Sequence, residues 1–214
     1  MATSITDLAE NLAADLSVDG VHPELGALHR LARTGVKVAP SRLVLADAEA
    51  TFYRLNNLPA QLRELFADLD LTDPDEDDLE ERAPEAQQLL RTHFLLDEFV
   101  DLFYAALEGL PSRLRVRRTD ELGAAEAAGR VVNRGRPALL ALKETWTDDW
   151  SFEALWVRVR ATGSVALPAR PMLISAAQLC DAGDDKAAHA SALLGRPVRL
   201  LHDPDHGVTG VRFV

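Results

Sequence analysis

Arg113, Arg115 and Arg117 alternate with Leu114 and Val116, and Arg118 follows directly. Side chains two apart on a strand share a face, so the spacing predicts a strand with one basic and one apolar side. The same alternation recurs in 152–160, where Trp156, Arg158 and Arg160 stand opposite Leu155, Val157 and Val159. If the two strands are neighbours, several guanidinium groups and an indole share one sheet face. Such a surface recognises carboxylates or phosphates by charge-assisted hydrogen bonds, and the indole can stack on a base. The candidate binding set is therefore Arg113, Arg115, Arg117, Arg118, Trp156, Arg158 and Arg160. An acidic protein partner is the expected occupant, with single-stranded nucleic acid as the alternative.

Other groupings offer different chemistry. Glu98-Phe99-Val100-Asp101, followed by Leu102, Phe103 and Tyr104, resembles the second half of the motif of all-α nucleotide pyrophosphohydrolases of the MazG type. That resemblance implies carboxylates three apart on a helix facing a magnesium ion that neutralises a triphosphate. The family also has an upstream Glu-Glu-x-x-Glu helix. Glu80, Glu81 and Glu85 stand at irregular spacing around Pro84 and do not reproduce it. His93, Asp97 and Asp101 stack at i, i+4 and i+8, which suits a surface ion pair more than a metal lacking ligands from a second segment.

The turn His202-Asp203-Pro204-Asp205-His206-Gly207 holds two histidines, but aspartate, proline and glycine are also what a hairpin connection needs for its backbone. Cys180 is the only cysteine, so no internal disulfide and no all-cysteine metal cage can form, and it reads as a small buried side chain. Nothing in the spacing joins it to His189. Phosphate loops, dinucleotide fingerprints, nucleophile elbows and His-Glu-x-x-His are all missing. The expectation is a non-catalytic interaction or regulatory protein without metal or cofactor.

The elements that must carry these residues divide at Pro111. Residues 1–111 hold 8 Lys/Arg against 22 Asp/Glu, and 112–214 hold 15 against 12, so the parts carry −14 and +3. The acidic part repels phosphates and the mildly basic part is free to bind acidic groups. Scarce lysine beside abundant Ala, Leu and Arg fits a GC-rich bacterial genome. No run of 18 apolar residues occurs and the N-terminus is acidic, so neither membrane insertion nor secretion is expected, and a cytoplasmic setting follows.

Within the acidic part, apolar spacing predicts helices at the N-terminus (Ile5, Leu8, Leu12, Leu16), from Pro23 to Gly35, from Ser41 to Asn57, and from Pro59 to Leu69. Eight of the twelve residues in 70–81 are acidic and predict a mobile loop, and 85–108 predicts one long helix. The second part predicts a strand at 113–117, a helix at 120–134, a strand at 152–160, an apolar segment at 172–176, a helix at 184–194 and a terminal hairpin from 198–201 and 208–213. The fold class is α+β, an acidic helical part (1–111) followed by a strand-rich mixed part (112–214).

Overall fold

Leu43 and Val44 are neighbours in one strand yet belong to different hydrophobic cores, and so do Leu173 and its neighbours Met172 and Ile174. Alternate residues of a strand face opposite ways, so a single sheet must separate the two cores. In the computed structural model, which describes residues 5–7, 23–119, 129–178 and 180–214, that sheet has five strands. They are β1 (Ile5–Asp7), β2 (Arg42–Val44), β3 (Arg113–Arg118), β4 (Arg130–Asn133) and β5 (Met172–Ala176), in the order β1-β2-β5-β3-β4. Every neighbouring pair is antiparallel. β1 and β2 come from the acidic part, and β2 pairs with β5 from the other, so the sheet spans the change of composition at Pro111.

The larger core covers one face. It is built by α2 (Ala46–Leu55), α3 (Leu58–Leu65), α4 (Glu76–Thr92), α5 (Asp97–Ala106), α6 (Arg136–Asp148) and α7 (Phe152–Thr162). On the other face α1 (Pro23–Arg33) and α8 (Asp184–Leu194) pack with a second sheet of β6 (Cys180–Asp181), β7 (Val198–Asp203) and β8 (Gly207–Phe213). The α+β class and the terminal β-hairpin stand as expected from sequence. No described helix is long and apolar enough to cross a membrane.

Several elements differ from expectation. The acidic segment is helical from Glu76, where Asp75 accepts a hydrogen bond from Asp77 N at 2.9 Å. Acidic residues in a first turn favour the positive end of the helix dipole, and Leu79, Ala83, Ala86 and Leu90 supply a buried stripe. The long helix at 85–108 is two helices, α4 and α5. Lys143 Nζ donates to the carbonyl oxygens of Arg91 and His93, satisfying the end of α4 where the chain turns. Residues 152–160 form α7 instead of a strand, because Ser151 caps Ala154 N and Leu155 and Val159 bury one helical face. In the expected 120–134 helix, residues 130–133 form β4 and 120–128 lie outside the described residues. The N-terminal helix expectation falls on a short strand at 5–7 and otherwise outside them.

Candidate anion-binding cleft

Along β3 the arginines pass from solvent into the interior. Arg113 is exposed, Arg115 is half-buried, and Arg117 and Arg118 are both 0% exposed. Strand alternation then sends the last two to opposite faces of the sheet. Arg117 enters the smaller core side and meets Glu24 of α1 in a two-armed pair, with Nη1 to Oε2 at 2.9 Å and Nη2 to Oε1 at 2.5 Å. Arg118 enters the larger core side and meets both oxygens of Glu49 on α2 at 2.8 Å, and also Asp149. Asp149 is shared with Arg170, whose backbone N–H donates to Glu49 at 2.9 Å. Burial alone would lower the Arg118 pKa, but the Glu49 and Asp149 carboxylates reverse that and raise it. Both arginines are structural cross-links with no side-chain surface left for a partner.

Trp156, Arg158 and Arg160 are elsewhere, on α7, so the expected common sheet face does not form. Arg158 lies over the Trp150 ring at 4.9 Å and donates to the carbonyls of Val165 and Asp149, while Arg160 lies over Trp156 at 5.1 Å. Within α7 the alternating arginines follow the helix around its axis instead of lining one side.

What the sheet register does assemble is a cleft of about 430 Å³ between the open end of β3 and the terminal hairpin. Arg113 and Arg115 line one wall with Val131, which pairs with Arg115 across β3 and β4. Cys180, Asp203, Asp205 and His206 line the other. Cys180 reaches it because β6 sets it opposite His202 of β7, and the thiol is exposed where the sequence suggested burial. Arg115 Nε donates to the Ala177 carbonyl at 3.1 Å; burial, with Arg117 adding to it, lowers its pKa.

Asp203 ties the wall together. Its Oδ1 accepts from the backbone N–H groups of Asp205 and His206 and from His206 Nδ1 at 2.8 Å, while Oδ2 accepts from Gln178 N. Nδ1 faces a carboxylate and so carries the proton, which leaves Nε2 as an acceptor in the neutral ring. Burial would raise the Asp203 pKa, but these hydrogen bonds outweigh it and hold the carboxyl below its usual value. A depressed carboxylate contributes stability above its unfolded pKa of about 3.9 and loses it as pH falls through the folded value. Asp203→Asn should therefore cost about 1 to 3 kcal/mol near pH 7, and the gap from wild type should shrink below about pH 4. Urea titrations across that range check this, and a gap independent of pH would refute it.

Glu24, Glu49, Asp149 and Arg170 were not singled out from sequence. The signal was a carboxylate inside an apolar arc: Glu49 lies between Leu45 and Phe52 at helical spacing. Glu98 and Asp101 are exposed on α5, and among the described residues no group of three or more His, Cys, Asp or Glu is placed to hold a metal ion. A scan against protein-family models and a search of curated proteins return no match to this chain, so the geometry of the cleft is the ground for its function.

Proposed function

We propose that this chain is a non-catalytic interaction protein, with a regulatory role, that takes an acidic segment of a partner protein in the cleft at the open end of β3. The observation carrying this reading is the placement of Arg113 and Arg115, two apart on one strand face, across from the turn of Asp203, Asp205 and His206, where the Asp203 carboxylate is already taken up by four hydrogen bonds. Arg113 is exposed and has no ion-pair partner among the described residues, so its guanidinium can meet a carboxylate two-armed without first breaking a bond. Val131 gives an apolar contact for the stem of the bound side chain. The exposed single cysteine fits a reducing, cytoplasmic setting.

Single-stranded nucleic acid is less well supported. Trp156 is on α7, and no Trp, Tyr or Phe lines the cleft among the described residues, so base stacking has no platform there. Magnesium-dependent nucleotide hydrolysis has even less support, because among the described residues the Glu98 and Asp101 carboxylates have no complement from a second segment.

The test is fluorescence anisotropy of a labelled deca-glutamate peptide against the full chain at rising salt. Binding should be salt-sensitive, and Arg113→Gln with Arg115→Gln should weaken it about tenfold or more while shifting stability by no more than about 1 kcal/mol. A labelled oligo-dT arm separates the nucleic-acid alternative. Preference for oligo-dT, or peptide affinity unchanged in the double variant, would remove the acidic-partner reading.

A further inference from the structure

On the larger-core side of the sheet lies a cavity of about 450 Å³, remote from the arginine cleft and lined by none of its residues. It opens between α3, the chain running from α3 towards α4, and the extended segment 164–167. Leu62, Phe66, Leu71, Trp150 and Leu167 make its walls apolar, and the Phe66 and Trp150 rings stack at 6.3 Å with a 27° tilt. A volume of several hundred cubic ångströms with apolar walls and few polar groups is typical of a small-molecule pocket.

The polar feature is Tyr53. Its hydroxyl oxygen accepts from Trp150 Nε1 at 2.6 Å. Burial raises its pKa far above neutrality, and the negative charges of Glu49 and Asp149 add to the effect, so the phenol keeps its proton. Among the described residues no acceptor takes that proton. A hydrogen-bond donor is thus held in place at an apolar cavity by a second aromatic side chain. Glu49 and Asp149 are themselves paired with Arg118 and Arg170, and it is the apolar walls that disfavour an ionised ligand, which would have to shed its water there.

Arg158 fixes the opposite wall, since its Nε holds the carbonyl of Val165 in the extended segment while its guanidinium covers Trp150. The strap is therefore tied to the same network as the donor.

We infer that this cavity is a binding site for a neutral, mostly apolar small molecule, of the size of a bicyclic aromatic, that presents one hydrogen-bond acceptor to the Tyr53 hydroxyl. The acceptor is a carbonyl or ether oxygen, and the ring system lies against Phe66 and Trp150.

Titration with 2-acetylnaphthalene, followed by isothermal calorimetry and tryptophan fluorescence, tests the site, with 2-ethylnaphthalene and 2-naphthoate as comparison probes. The ketone should bind more tightly than either. Tyr53→Phe should weaken the ketone about three- to tenfold and leave 2-ethylnaphthalene nearly unchanged, the fold-change expected for one neutral hydrogen bond. Ala166→Trp, at an exposed residue lining the cavity, should block all three without touching the core. Absence of ketone binding, or binding unaltered by Ala166→Trp, would overturn the site. Equal affinity for ketone and hydrocarbon in the wild type would overturn the role of Tyr53. Deca-glutamate binding should be indifferent to both variants, which keeps this result separate from that of the cleft.

Discussion

Replacing Glu49 with glutamine should destabilise the protein by about 3 to 5 kcal/mol, a large part of the total stability of an ordinary domain. The carboxylate holds both arms of the fully buried Arg118 and also accepts the Arg170 N–H. Without its charge two guanidinium groups share Asp149 alone, and of the two Arg118 is fully buried and cannot turn to water. Glu49→Leu combined with Arg118→Met should recover most of the loss, since removing both charges avoids stranding either. The exposed pair Arg130 and Asp148 serves as a control, where Asp148→Asn should change stability by less than about 1 kcal/mol. Urea unfolding of the three variants beside wild type decides the matter, and a Glu49→Gln loss no larger than the control would refute the cross-link.

Gly207→Ala should cost about 2 to 4 kcal/mol, above what backbone strain alone costs. Gly207 has φ +113, and an added Cβ would meet the Lys37 carbonyl oxygen at 2.4 Å. Relief is blocked because Val208 N donates to that oxygen at 2.9 Å and Ala39 N donates to the Val208 carbonyl at 2.8 Å. The start of β8 is thus pinned to 37–39 through a parallel bridge between Val38 and Val208. Gly195→Ala is the counterpart: φ is +73, but open space surrounds the position, so a loss of about 1 kcal/mol is expected there. Displacing the turn would also move Asp203 and His206, so Gly207→Ala should weaken deca-glutamate binding and Gly195→Ala should not. Equal thermal shifts in the two variants would contradict the close approach.

Elements with strong local signals were legible in the sequence. Pro23 and Gly35 bracket α1, Gly195 in the left-handed conformation stops α8, and the Asp203 to Gly207 turn joins β7 to β8. The arginine alternation at 113–117 is a real strand, while the similar alternation at 155–160 is a helix. Leu155 and Val159 satisfy both periods, and the serine cap with burial against α4 settles the choice for helix. The acidic run is a helix because its charge stabilises the helix dipole at Glu76 and because Leu79, Ala83 and Ala86 form a buried stripe that the density of carboxylates masks. Arg113, Arg115, Cys180, Asp203 and His206 each drew attention, but in separate groups. Their meeting depends on β5 leading into β6 and on the β6–β7 register, which no local spacing encodes.

The arginine doublet also shapes how the chain folds. Arg117 finds its carboxylate 93 residues away and Arg118 finds its own 69 residues away, on different faces of the sheet. Until α1 and α2 have both docked, β3 carries two charges that the interior cannot accept. The strand can therefore enter the sheet only late, after long loops have closed, which slows folding. Once in place it clamps both layers, so neither can open without exposing the other, and the molecule is expected to give way as one cooperative unit.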